Sequence, residues 1–169
     1  DNQLERSQAV TLIIRMLGKD RFVQQNADEL RYTKFIDVTS DAWYAPYVGY
    51  GTLNNIVAGD TETTFSPGQY VTEKAFLKMA LCALDYEYAV DFSWSDVYQK
   101  AYEVGLLTDA SYSTRTADNT NYLRSGAVEV IYRTLNTFKK GTQTKLALAL
   151  IDEGAFTSAE VAESGIFGK

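Results

Sequence analysis

Three stretches of this chain share one pattern: Leu4–Gly18 (LERSQAVTLIIRMLG), Val71–Asp85 (VTEKAFLKMALCALD) and Tyr122–Asn136 (YLRSGAVEVIYRTLN). Superposed, they place Arg6, Glu73 and Arg124 in one column and Leu17, Leu84 and Leu135 in another. In the second copy Phe76, Met79, Ala80, Ala83 and Leu84 recur at the i, i+3, i+4 spacing of an amphipathic helix. Leu12, Ile13, Met16 and Leu17 fill the matching columns of the first copy, and Val130, Ile131, Thr134 and Leu135 those of the third. Gly18, Asp85 and Asn136 close the three stretches, each a residue that tolerates the left-handed conformation of a helix C-cap. Thr72 is placed to cap the second helix at its N-terminus.

A second set of helices is predicted between these: Tyr47–Val57, Tyr98–Leu107 and Leu146–Phe156. Each carries a break before its closing apolar pair, at Asn55, Gly105 and Gly154. Trp43 and Trp94 precede the first two at nearly equal distance. A two-helix unit of this size cannot bury its own apolar face, so three units are expected to share one core. The expected fold is all-α: a pseudo-three-fold bundle of three two-helix repeats with short connecting helices and loops. It forms one domain over residues 1–169, with units at about 19–85 and 86–136, and with 137–169 pairing with 1–18 to complete the third. Loss of a helix upstream of the first copy is the alternative to that circular closure. Residues 19–34 are an insertion in this scheme, and a short helix is expected at Ser158–Glu163.

Composition narrows the function. A net charge of −6 over 169 residues argues against a general nucleic-acid binder, which would neutralise phosphates with a cationic face. The absence of histidine removes Ser-His-Asp and Cys-His catalytic sets and the usual zinc sites. The single cysteine, Cys82, forms no intrachain disulfide and falls in an apolar stripe, as a buried inert thiol would. No run approaches the ~20 apolar residues of a membrane span. The start at Asp1 shows no signal-peptide pattern, as in a mature or trimmed chain. Twelve tyrosines and two tryptophans offer many rings for a flat polar ligand such as a sugar, although rings serve equally in packing.

The central region resembles the S-layer homology (SLH) family. Phe35–Val38 (FIDV), Trp43 and Asn55–Phe76 (NIVAGDTETTFSPGQYVTEKAF) follow that family's F-x-D-V, Trp, G-I-V-x-G, D-G-T-F-x-P and I-T-R-A-E-F pattern. Gly59, Asp60, Thr64, Phe65, Pro67 and Thr72 fall at its marked positions. The likeness covers about fifty residues well. It weakens from Trp94 to Asn136, where Tyr112–Asn121 (YSTRTADNTN) replaces the F-x-P turn. The resemblance implies non-covalent, extracellular anchoring of a bacterial surface protein to the cell wall. It also implies a ligand, an anionic secondary wall polysaccharide carrying a pyruvylated amino sugar, held in grooves between repeats by the Arg of T-R-A-E.

That choice of residue makes physical sense. A cation in the first turn is disfavoured by the helix dipole, by a few tenths to ~1 kcal/mol. Beside the unpaired N–H groups of the same turn, however, it completes a site for a carboxylate. Arg6 and Arg124 are therefore the principal candidates, and the bland alternative is that both are solvated surface residues. The middle copy departs, with Glu73 in the Arg column and Lys74 beside it as a cation at another angle. The closing Glu of T-R-A-E becomes Gln8, Ala75 and Gly126, so only Gln8 is able to complete a capping box. Trp43 and Trp94 stack on a sugar face or belong to the core, and Tyr122 packs or touches ligand. Asp37 and Asp96 are expected to close turns. The expected module binds the glycan in one or two grooves, with the middle one silent. It is not an enzyme, needs no cofactor or metal, inserts in no membrane, and is a monomeric domain of a larger protein. The competing readings are a glycoside hydrolase built on two carboxylates and an SLH-fold protein–protein or structural module without a glycan site.

Overall fold

The computed structural model describes residues 2–114, 121–163 and 165. Its helices are α1 (Arg6–Met16), α2 (Asp20–Gln25), α3 (Ala27–Leu30), α4 (Ala45–Leu53), α5 (Glu73–Ala83), α6 (Val97–Glu103), α7 (Asp109–Ser113), α8 (Arg124–Asn136), α9 (Leu146–Asp152) and α10 (Ser158–Glu163). A 3₁₀ turn at Trp94–Asp96 leads into α6. Among the described residues there are isolated β-bridges but no strands, so the fold is all-α. Of the stretch Tyr112–Asn121, residues 115–120 lie outside the described residues.

α5 buries the face its periodicity marks, whereas in α1 and α8 the buried face is shifted, leaving the marked Leu12, Leu17, Ile131 and Leu135 only partly buried. Val10, Ile13 and Ile14 of α1, Phe76, Met79, Ala80 and Ala83 of α5 with Leu84 just beyond it, and Ala127 and Val130 of α8 all reach the core. Each large side chain so buried contributes about 1.5–3 kcal/mol from the transfer of its apolar surface out of water. Two polar residues inside these stripes are satisfied locally. Thr11 Oγ1 donates to the Ser7 carbonyl at 2.8 Å and Thr134 Oγ1 to the Val130 carbonyl at 2.7 Å.

The breaks before each apolar pair have one geometry. Asn55, Gly105 and Gly154 have φ of 56°, 91° and 73°, which turns the chain into the left-handed region after α4, α6 and α9. The next amide reaches back five residues in each case: Ile56 to Gly51, Leu106 to Ala101 and Ala155 to Leu150. This is the Schellman closure, and it folds Ile56 and Leu106 into the core. Gly18 and Asp85 end α1 and α5 in the same way, at φ of 67° and 69°. Asn136 does not. It is the last residue of α8, and the chain leaves through an extended Thr137 instead.

Each short helix packs on the long helix that precedes it: α4 on α1, α6 on α5 and α9 on α8. The long helices also touch one another. Their N-terminal approaches are tied by a closed ring of backbone hydrogen bonds. Leu4 donates to Tyr122 at 3.0 Å, Tyr122 to Val71 at 2.8 Å and Val71 to Leu4 at 2.8 Å. Each of these residues stands two positions before the first residue of its helix, so the ring brings the three helix starts to one end of the molecule. The 19–34 segment is helical, forming α2 and α3. Buried Val23 and Leu30 seat it over α4, and Gly49 lets the Leu30 carbonyl approach so closely that a Cβ would lie 1.9 Å from its oxygen. The turn after α9 reaches the end of α1, where Lys19 pairs with Glu153 at 3.6 Å.

Candidate groove at the helix starts

Arg6, Glu73 and Arg124 are the first residues of α1, α5 and α8. Arg6 is folded back over the loop 58–66. Its Nε donates to the Phe65 carbonyl at 2.8 Å and Nη2 to the Ala58 carbonyl at 3.2 Å, with the guanidinium 4.8 Å from the Phe65 ring centre. That loop is locked from within. Asp60 accepts from Thr64 Oγ1 at 2.9 Å and Ser66 Oγ at 2.6 Å. The Asp37 carboxylate accepts the amides of Phe65 and Ser66 at 2.8 and 2.7 Å. Gly59 is required because a Cβ there would sit 2.2 Å from the Thr61 carbonyl oxygen. Burial lowers the pKa of Arg6, while Asp60 and Asp37 oppose that shift. Asp96 closes the other turn, accepting from the Ser93 amide and hydroxyl.

Arg6 opens onto a groove of about 520 Å³ whose lining includes Gln69, Tyr70, Lys78, Tyr88 and Trp94. Lys78 is its second cation. Its Nζ donates to the Ile56 carbonyl at 3.3 Å and lies 5.1 Å from the Tyr88 ring centre. Burial lowers the Lys78 pKa; the thiolate form of Cys82 would oppose the shift, and the charge of Arg6 adds to it. Neither cation forms a salt bridge among the described residues. Two partly desolvated positive charges beside aromatic rings favour an anion joined to a flat polar body.

The remaining sequence candidates fall at different places. Arg124 is exposed and donates Nη2 to Gln8 Oε1 at 3.0 Å. These two residues share a separate groove of about 510 Å³ with Asn2, Gln3, Glu5, Tyr70 and Leu123. Gln8 also accepts the Glu5 amide at 3.2 Å, so it does the capping work its position suggests. Tyr122 packs. It is buried against Phe76, 5.6 Å between ring centres, and its ring occupies the space a side chain at position 126 would need. Gly126 therefore stands where the family motif has Glu because the Tyr122 ring leaves no room for a Cβ.

Glu73 is turned inward. It is 9% exposed and accepts the Tyr98 hydroxyl at 3.2 Å. Lys74 is 6% exposed, with Nζ 5.0 Å from the Trp94 ring centre and 5.9 Å from that of Tyr98. Trp94 is 42% exposed and walls the Arg6 groove, which separates it from the core. Trp43 is 58% exposed and edge-on to Tyr44, away from both grooves described so far. Sequence reasoning missed Lys78 and Tyr88. The positions matching Lys78 in the other copies are Thr11 and Glu129, so no repeated cation marks it.

Among the described residues no group of His, Cys, Asp and Glu is placed to hold a metal. Cys82 is half-buried and burial raises its pKa, which keeps the thiol protonated. No helix among the described residues is long and apolar enough to cross a membrane.

Residues 34–76 match the family model of the S-layer homology domain, a stretch running from just before Phe35 to Phe76 of α5. The chain is 29% identical over 108 residues to the middle cell wall protein of Brevibacillus brevis, covering 63% of this chain and 10% of that protein. It is 32% identical over 95 residues to the surface layer protein of Brevibacillus choshinensis, covering 56% of this chain and 8% of that one. The chain thus spans about a tenth or less of the length of these relatives. No solved structure matches. The F-x-D-V strip, the locked turn from Gly59 to Phe65 and the start of the Thr72-capped helix all lie inside the stretch 34–76, and that stretch is similar to an S-layer homology domain.

Proposed function

We propose that this chain is an extracellular cell-wall anchor, a monomeric module of a larger surface protein that binds an anionic, pyruvylated secondary wall polysaccharide. The observation that carries the proposal is the convergence of Arg6 and Lys78 on a groove walled by Trp94 and Tyr88. A pyruvyl ketal combines one carboxylate with a rigid sugar ring. The two cations meet the carboxylate and the indole and phenol rings meet the sugar. Arg124 with Gln8 forms a second, more exposed site. The Glu73 position is silent, since its carboxylate and the adjacent Lys74 are both buried.

The units at about 19–85, 86–136 and 137–169 with 1–18 are part of the same proposal. The packing of α4 on α1, α6 on α5 and α9 on α8 supports it, because each short helix then lies on the long helix of the preceding unit. The ring through Leu4, Val71 and Tyr122 supports the closure. The direct test is retention of the chain on purified wall polysaccharide before and after mild acid removal of the pyruvyl ketal. Retention is expected to be lost with the ketal. Equal retention on both polymers would refute an acid-directed anchor.

A further inference from the structure

The Arg6 groove does not end at Lys78. A second groove, also about 520 Å³, begins there and shares Val57, Ala58, Lys78 and Tyr88 with the first. The two together follow one face of α5. Thr72 and Ala75 line the first, Lys78 lines both, and Cys82 and Asp85 line the second. These positions recur at the three- and four-residue spacing of one helix face. At 1.5 Å rise per residue, the helical part of the trough from Thr72 to Cys82 runs about 15 Å, longer than one sugar ring is wide, and Asp85 lies just beyond it.

The chemistry changes along it. The Arg6 end is cationic and aromatic. Beyond Lys78 the walls carry the amides of Asn54 and Asn55, the Tyr86 ring and the carboxylates of Asp85 and Glu87. Asp85 is already paired with Lys139 at 3.0 Å, and Lys100 sits 4.8 Å from the Tyr86 ring centre. The amides donate to and accept from hydroxyl groups, the carboxylates accept from them, and the carboxylates disfavour a second acid. Asn55 holds its position at the rim in the left-handed conformation, which Asn tolerates better than most residues.

We infer that the face of α5 beyond Lys78 is a second subsite for a neutral sugar unit linked to the acidic one. The chain would then read an acid-terminated oligosaccharide rather than a single acidic sugar. This rests on the wall-polysaccharide reading above, with Lys78 as the pivot between the two halves.

The test is calorimetric titration of the full chain with three probes. They are a pyruvylated N-acetylhexosamine, a trisaccharide ending in that sugar with two neutral units, and the same trisaccharide with an acidic unit in second place. The neutral trisaccharide is expected to bind at least three- to tenfold tighter than the monosaccharide, the gain of one or two neutral hydrogen bonds. The doubly acidic trisaccharide is expected to lose that gain. Asn55→Gly removes the amide while keeping the backbone relaxed, and should bring the trisaccharide-to-monosaccharide ratio toward one. Glu87→Gln should restore binding of the doubly acidic probe. Equal affinity of the unmodified chain for monosaccharide and neutral trisaccharide would overturn the second subsite and leave the anchoring reading standing. A ratio unmoved by Asn55→Gly, with the doubly acidic probe still rejected by Glu87→Gln, would do the same. Failure to bind any of the three probes would overturn the anchoring reading itself, and the subsite with it.

Discussion

Replacing Arg6 by Ala separates the two roles this residue plays. On the ligand side it removes one charge-assisted contact to an acid in a partly desolvated groove, worth about 1.5–3 kcal/mol. At about 1.4 kcal/mol per decade, affinity for the wall polysaccharide should fall roughly ten- to hundredfold. On the folding side the Phe65 carbonyl, which is part-buried, loses its donor, while the Ala58 carbonyl is exposed and passes to water. The contact with the Phe65 ring is lost as well, at about 0.5–1 kcal/mol. The folding cost should therefore stay near 1–2 kcal/mol, a fall in Tm of roughly 2–8 °C for a domain of this size. Titration calorimetry against the purified polymer, with thermal unfolding followed by circular dichroism, reads both quantities on one sample. Arg6→Lys retains the charge without the planar fork and should fall between the two. A folded Arg6→Ala chain that binds the polymer as tightly as the unmodified one would refute the assignment of this groove.

Three further outcomes follow from the geometry. Restoring the motif with Glu73→Arg should lower unfolding stability by about 3–5 kcal/mol without improving polymer binding, because it puts a buried cation beside Lys74 and removes the acceptor for Tyr98; a gain in binding would show that the middle site is not closed. Gly49→Ala should cost at least about 1–3 kcal/mol in denaturant unfolding, since its Cβ would meet the Leu30 carbonyl at 1.9 Å and displace α3. Polymer affinity should begin to fall below the ordinary lysine pKa of about 10.4, because burial and the charge of Arg6 lower the Lys78 pKa and the protonated amine is the form that binds an anion. Lys78→Met should bind more weakly at neutral pH and lose that alkaline decline; an unchanged decline would assign it to another group.

The repeated helix starts were legible because their meaning lies in the column. The periodic apolar residues mark three long helices, and the first residue of each is the residue that the repeat alignment singles out. The breaks at Asn55, Gly105 and Gly154 were equally legible, since a left-handed turn requires residues that tolerate positive φ. Lys78 was not. It lies in mid-helix where the other copies have Thr11 and Glu129, so neither repetition nor motif marks it. It becomes a groove cation only because the chain around Ile56 and the Tyr88 ring come to lie beside α5. Trp43 and Trp94 show the same limit. Their spacing suits core and groove wall alike, and only the packing around α5 and α6 leaves Trp94 half open at the groove.

Local order in the chain determined the helices, their caps, the turn around Asp60 and the inequality of the three helix starts. Each depends on side chains a few residues apart, and short-range stereochemistry acts within that span. Which charges meet was decided by the tertiary fold. Arg6 reaches a carbonyl 59 residues away, Arg124 reaches a side chain 116 residues away, and Glu73 is withdrawn under Tyr98. Those encounters are set by how the helices pack and close into a ring, and they leave Arg6 and Arg124 each on a groove while Glu73 is buried.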